Sequence, residues 1–202
     1  MNKNGKTISI LFGLLLALAT PLAAWAQAGE RGAYVGVGAG QGEAVNYNVM
    51  TCDPQMTDHC KKKADVYRFF GGWQFGRNWG VEFAYSDLGK ISADTAGVYN
   101  QTVKARVGEM TLVGSWPATD SIAFYGKVGG YYGNTSTETT QNGVTQQVSQ
   151  GRGNYTFAAG IQWYMTRHLA LRGEGQHYVK IDTAAGHLDY NVYTLGLLFK
   201  FQ

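Results

Sequence analysis

Proline is scarce in this sequence of 202 residues, with 3 prolines against 28 glycines. Because proline interrupts a β-ladder and glycine lets strands approach closely, this balance suits packed strands better than helices. An excess of positive charge is also missing once the N-terminal segment described below is set aside, since 15 Lys and Arg then face 14 Asp and Glu. No basic stripe carries interleaved aromatic residues, so no nucleic-acid partner is expected.

Long hydrophobic runs are absent apart from one near the N-terminus, Ile8 to Leu18. This run is shorter than the roughly 20 residues that a membrane-spanning helix needs. It fits the apolar core of a secretory signal instead, with lysines before it and Ala24-Trp25-Ala26 as the cleavage site. We therefore expect residues 1–26 to be a signal peptide that is removed, and residues 27–202 to form one domain.

Cysteine is limited to Cys52 and Cys60. The two lie close together in a chain expected to be exported, so an oxidising compartment favours a local disulfide between them. Asp53, Asp58 and His59 lie between the cysteines and could join them in a metal site, but the spacing fits no familiar zinc pattern. We expect the disulfide, and neither a metal nor a cofactor.

Helical periodicity is missing after the N-terminal segment, and period-two alternation of apolar and polar residues recurs instead. It predicts eight strands, at roughly 33–42, 64–75, 79–89, 102–116, 121–133, 153–165, 169–180 and 190–201. The connections alternate between tight ones (76–78, 117–120 and 166–168) and long polar ones (43–63, 90–101, 134–152 and 181–189). This alternation is typical of an up-and-down barrel in an outer membrane, where the short turns face the periplasm.

One face of the predicted strands carries most of the large apolar side chains. In FGGWQFGRNWGVEFAYSDLG, residues 70–89, that face includes Trp73, Phe75, Trp79 and Phe83. Eight strands enclose an interior only just wide enough for side chains, so dozens of large apolar residues would not fit inside. This face is therefore expected to meet lipid. The predicted fold is all-β, an eight-stranded antiparallel up-and-down transmembrane β-barrel in the cell outer membrane.

The tryptophans of the predicted strands sort to one end. Trp73, Trp79, Trp116 and Trp163 each lie within a few residues of a short turn. This placement predicts an aromatic girdle at the periplasmic interface. The alternative is that aromatic residues are simply common in strands.

Charged residues on the opposite face would point into the narrow lumen. They are Arg68, Glu82, Lys127, Arg172 and Glu174. Buried charges must pair, and Glu82 and Arg172 lie at similar heights on strands that face each other across the barrel. The network is expected either to plug the barrel or to act as a gate for a narrow ion path.

The fourth predicted strand has an uncertain phase. Val103, Ala105 and Val107 share one parity, whereas Met110, Leu112 and Trp116 take the other. Either a bulge near Gly108 switches the phase, or Lys104 and Arg106 point outward toward lipopolysaccharide phosphates.

In the first long loop, Lys61, Lys62 and Lys63 form a basic triplet. This triplet either contacts anionic lipid head groups or a host surface, or is solvated charge.

Five segments resemble the OmpA-like transmembrane domain and other small outer-membrane β-barrel proteins. They are Ala33–Gly40, Phe69–Gly89, Met110–Pro117, Phe124–Gly129 and Leu169–Glu174. The resemblance implies an interior salt-bridge network and insertion by the barrel assembly machinery, which reads a last strand that closes on Phe. Here Phe201 is followed by Gln202.

The expected function is structural or a surface interaction through the extracellular loops, without catalysis. Its partners would be outer-membrane lipid, lipopolysaccharide and an extracellular ligand or host surface. The alternatives are a narrow pore gated by the interior charges and a lipid A-modifying enzyme. The four histidines, His59, His168, His177 and His187, form no His-x-Ser motif, and a lone titratable side chain without an orienting partner is weak support for catalysis.

Overall fold

The computed structural model describes residues 31–45, 59–95, 99–141, 143–183 and 186–201. The strands in this part of the chain are β1 (Gly32–Val45), β2 (His59–Lys61), β3 (Lys63–Gln74), β4 (Trp79–Thr95), β5 (Tyr99–Pro117), β6 (Ile122–Gln141), β7 (Val144–Tyr164), β8 (Leu169–Thr183) and β9 (Gly186–Lys200). Among these residues, no helix is long and apolar enough to cross a membrane.

Eight long strands close into a ring. Their order is β4-β3-β1-β9-β8-β7-β6-β5, and β5 pairs back onto β4. Every pairing is antiparallel, and β1 is joined to both β3 and β9. The short β2 pairs only with the outer end of β4, where it continues the direction of β3. The structure confirms the predicted eight-stranded antiparallel barrel.

Several strands are longer than the sequence predicts. We expected long loops at 90–101 and 134–152, but β4 and β5 run on to Thr95 and Tyr99, and β6 and β7 form a ladder as far as Gln141 and Val144. Asn142 and Gly143 lie between Gln141 and Val144 in the sequence, and Gly143 has a φ of +80°. Such a pair suits a tight hairpin turn, because glycine adopts positive φ without steric cost.

The phase of β5 is unbroken. Its ladder with β6 keeps one register from Tyr99 to Pro117, so a bulge near Gly108 is wrong. The register shifts instead in β4, between Asp87 and Lys90, where Gly89 has a φ of +75°. Residues of β5 with even numbers therefore face outward and those with odd numbers face the lumen.

The outward face of the barrel carries the large apolar side chains. Phe69 and Val128 are each 60% exposed, and many similar residues are about half exposed. Apolar patches of this extent are not stable in water, whereas an outer-membrane barrel presents such a band to lipid. The alternation of side chains along each strand thus leaves the lumen to polar and smaller residues.

The four tryptophans lie at the end of the barrel with the short turns, each about half exposed. Trp79 begins β4, Trp73 is the penultimate residue of β3, and Trp163 pairs with the first residue of β6. A methyl group at Gly114 would lie 3.2 Å from the ring of Trp116 and 3.4 Å from that of Trp79, so these two indoles pack side by side over the glycine. This is the position that an interfacial girdle requires.

Candidate functional site

The middle of the lumen holds a cluster of six charged side chains, here called the lumen cluster. Five strands supply them: β3 (Arg68), β4 (Glu82), β5 (Glu109), β6 (Lys127) and β8 (Arg172 and Glu174). All are buried, and Glu82 is fully so, with 0% exposure. Because each strand turns alternate residues inward, five separate strands can point a charge at the same central volume.

Glu82 is contacted by all three cations of the cluster. Its carboxylate accepts hydrogen bonds from Arg172 Nη1 at 2.6 Å, from Lys127 Nζ at 3.0 Å and from Arg68 Nη2 at 3.3 Å. The hydroxyl of Tyr34 donates a fourth bond at 2.9 Å. The predicted meeting of Glu82 and Arg172 across the interior is therefore present in the structure.

Glu174 shares the same three cations. Lys127 Nζ lies 2.8 Å from its carboxylate, Arg68 Nη1 lies 2.8 Å away, and Arg172 Nη2 lies 3.4 Å away. The hydroxyl of Tyr125 donates a hydrogen bond to Oε2 of Glu174 at 2.7 Å. Each cation thus bridges at least two carboxylates, which ties opposite walls of the barrel together.

Glu109 is the member that the sequence prediction missed. It pairs with Arg68 and accepts hydrogen bonds from Gln176 Nε2 at 2.6 Å and from the hydroxyl of Tyr178 at 2.8 Å. Three cations then face three carboxylates, and the cluster is neutral. Two signals pointed to Glu109: the five predicted charges left one cation in excess, and Glu109 shares the parity of the inward-facing Val107.

Layers of apolar side chains lie in the lumen on both sides of the lumen cluster. Toward the short turns the layer consists of Tyr34, Phe70, Ala84, Ala123, Tyr164, Ala170 and Leu198. Toward the long loops it contains Ala44, Ala64, Val66, Leu88, Ile91, Val103, Val107, Tyr131, Tyr178, Ile181, Leu188, Tyr190 and Val192. The guanidinium of Arg172 lies 4.2 Å from the ring centroid of Tyr125 and 4.8 Å from that of Phe70, so aromatic rings cover the charges directly.

The basic triplet lies at the outer end of the barrel. Lys61 ends β2 and Lys63 begins β3, and all three lysines are exposed. Lys63 Nζ is 3.8 Å from Glu43, and both side chains are about half exposed or more, so this pair contributes little to stability. The triplet is therefore exposed at the outer end of the barrel.

The predicted disulfide is only partly within the described part of the chain. Cys52 lies outside the described residues. Cys60 belongs to β2, where it pairs with Ala93. Its bond to Cys52 stays a prediction.

The described histidines lie apart from one another. His168 is in the β7–β8 turn, with Nδ1 3.1 Å from the carbonyl oxygen of Lys200. His177 faces outward on β8, with Nδ1 2.5 Å from Asn191 Oδ1, and His187 contacts Asp182 near the β8–β9 turn. Among the described residues, no three His, Cys, Asp or Glu side chains are grouped so that they could hold a metal ion.

The sequence matches a family model over most of its length: residues 28–202 match the model described as "OmpA-like transmembrane domain". The chain is also similar to outer membrane protein A of Klebsiella pneumoniae, with 28% identity over 65% of this chain and 40% of that protein. Outer membrane protein A of Escherichia fergusonii is 28% identical over 65% of this chain and 39% of its own length. The chain thus spans about two fifths of the length of these relatives.

Solved structures of small outer-membrane barrels share the fold. The outer membrane protein OprG of Pseudomonas aeruginosa superposes with a TM-score of 0.60 at 14% identity, covering 87% of this chain and 99% of that one. Neisserial surface protein A gives 0.57 at 12% identity, covering 84% and 97%. Ail, the attachment invasion locus protein of Yersinia pestis, gives 0.56 at 14% identity, covering 85% and 100%. At these identities the likeness concerns the fold alone.

Proposed function

The chain belongs to the family of OmpA-like transmembrane domains and is an integral protein of the outer membrane, and from this premise we propose that it acts without catalysis, as an anchor for a surface that interacts outside the cell. The barrel holds the long hairpins in place, and the interactions occur on those hairpins and on the outer rim. Lipid surrounds the apolar wall, and the assembly machinery inserts the barrel during export.

The filled lumen is the observation that carries this proposal. The lumen cluster is neutral and linked across the barrel by ion pairs and hydrogen bonds, and an apolar layer lies on each side of it. An ion entering it would have to displace these buried paired charges, and breaking one such pair costs about 3–5 kcal/mol. A lumen occupied in this way supports the outer surface as the place of function.

The β6–β7 hairpin extends the outer surface of the barrel. The β6–β7 hairpin continues beyond the lipid-facing Tyr132 and Tyr155 to Gln141 and Val144. Between Val144 and Tyr155, β7 pairs with β6, and the described residues show no pairing of this segment with β8. The side chains of this extension are mostly Thr, Ser, Gln and Asn, which suits a water-exposed binding surface better than a membrane wall.

Adhesion by whole cells tests this proposal. Cells that display the chain are compared with cells that display a variant lacking residues 137–148, which joins the cross-strand partners Ser136 and Ser149. We expect the intact chain to increase adhesion to cultured epithelial cells and to heparin-coated surfaces, and the shortened variant to lose most of that increase. A heat-dependent shift in gel migration confirms that both barrels are closed. Equal adhesion of cells with and without the intact chain would contradict the proposal.

A gated pore is the second candidate, and one observation favours it. Lys127 lies within 3.0 Å of both Glu82 and Glu174, so it can exchange partners without crossing the lumen. Single-channel recording of the purified protein in planar bilayers separates the two candidates. We expect silence from the wild type and from Glu82→Ala and Arg172→Ala; regular openings that change with either substitution would establish the gate instead.

Lipid A modification is tested separately. The mass spectrum of lipid A from cells with and without the chain should be unchanged. A new acylation or deacylation product that depends on the chain would contradict the non-catalytic proposal.

A further inference from the structure

A groove of about 510 Å³ runs along the outer wall of β5, β6 and β7. Its floor is Tyr132, which is 57% exposed and lies just above lipid-facing residues such as Met110 and Val128. Neighbouring positions on the wall are small: a methyl group added at Gly108 would meet nothing within 4 Å. The groove thus lies directly outside the band of apolar residues on this part of the wall.

Cations dominate one side of this groove. Lys104 and Arg106 face outward on β5, and Lys90 is the cross-strand partner of Lys104 on β4. Like charges directly opposite each other on neighbouring strands are destabilising. Among the described residues, neither lysine has a carboxylate within ion-pair distance, and Asp87 contacts Arg106 only through Nε, at 3.2 Å. Three cations therefore share one carboxylate, and an anion between them would relieve the repulsion.

Uncharged polar side chains form the other side of the groove. The register places Asn134 beside Arg106, and Ser136 beside Lys104, with Ser149 as the next neighbour on β7. Amide and hydroxyl groups in this arrangement can both donate and accept hydrogen bonds. They match the hydroxyl groups of a sugar, whereas the cations match a phosphate.

We propose that this groove binds the phosphorylated sugar head group of an outer-leaflet glycolipid of the lipid A class. The phosphate lies against Lys104 and Arg106, the sugar lies against β6 and β7, and the acyl chains continue down the apolar wall. A membrane lipid suits the groove better than a soluble polyanion, because the floor is continuous with the lipid-facing wall.

The number of lipid A molecules retained per barrel tests the proposal. The full chain is purified in detergent, incubated with lipid A and measured by native mass spectrometry over a range of lipid concentrations. We expect Lys104→Thr/Arg106→Thr to weaken binding about thirtyfold, because each basic residue near an anionic surface contributes roughly a factor of five. Arg31→Thr/Arg77→Thr removes the same charge from exposed positions outside the groove and should leave binding unchanged.

A second measurement uses the wild-type protein, so its outcome does not depend on whether a variant folds. Lipid A without its phosphates should bind about as weakly as intact lipid A binds to the groove variant. Equal binding of the two lipids, or equal losses in the groove and control variants, would overturn the proposal. Binding of heparin fragments that is lost in the groove variant, with lipid A binding intact, would assign the groove to a soluble polyanion and overturn it too. Adhesion and conductance are read independently, so failure here is distinguishable from failure of the anchoring function.

Discussion

Replacing Glu82 with alanine should destabilise the barrel strongly. The change removes the carboxylate that all three cations of the lumen cluster contact, and leaves those cations facing two carboxylates. Removing one partner of a buried ion pair costs about 3–5 kcal/mol, because the remaining charge is left uncompensated away from water. We expect the free energy of unfolding to fall by about that amount.

Denaturant-induced unfolding in lipid vesicles measures this loss. The four tryptophans on the lipid-facing wall report insertion through their fluorescence. Glu138→Ala is the matched control, since Glu138 is exposed on β6 and has no ion pair among the described residues. A surface substitution of this kind should change stability by less than about 0.5 kcal/mol.

The double variant Glu82→Ala/Arg172→Ala separates charge imbalance from simple loss of packing. It removes one charge of each sign from residues that are 2.6 Å apart, so the cluster is neutral again. The losses of unfolding free energy in the two single variants should therefore not add. The double variant should lose at least about 1 kcal/mol less than the sum of those two losses. Strict additivity, or a Glu82→Ala barrel as stable as the wild type, would refute the reasoning.

Three further predictions concern other positions. Glu109→Gln keeps the size of the side chain but removes the third carboxylate, so it should cost about 3 kcal/mol in the same unfolding assay; wild-type stability would show that the charge balance is irrelevant. Gly89→Ala should lower the free energy of unfolding by at least about 1 kcal/mol, because the φ of this residue is +75° and the new methyl group would lie 2.5 Å from a backbone carbonyl oxygen. Gly108→Ala is the control: its methyl group would enter open space, so stability should not change. Cys52 and Cys60 of the exported protein should resist alkylation until a reductant is added; labelling without reductant would contradict the disulfide.

The barrel could be predicted from the sequence because two simple properties determine it. Alternation with a period of two marks each strand, and the bulk of residues such as Trp73 and Phe83 leaves them no room inside a ring of eight. Inside and outside follow from that constraint, and so do the inward positions of Arg68 and Glu174. The family match and the structure agree with this assignment.

Features beyond the membrane were harder to predict. In the β6–β7 extension both faces are polar, so the alternation that marks a strand is missing and the segment reads as a loop. The irregularity at Gly89 was misplaced because a bulge depends on the register with the neighbouring strand rather than on local sequence. Glu109 was missed for the same reason, since its direction depends on the unbroken phase of β5.

The lumen cluster also affects the order of assembly. Glu82 and Arg172 are separated by 90 positions in the chain, and their contact exists only when distant strands have come together around one axis. Contacts of such long sequence separation form slowly. Within β3–β5 the cluster residues carry one net negative charge, and within β6–β8 they carry one net positive charge. These net charges meet across the lumen only when the first and last strands join. Closure of the ring and pairing of these net charges are therefore coupled.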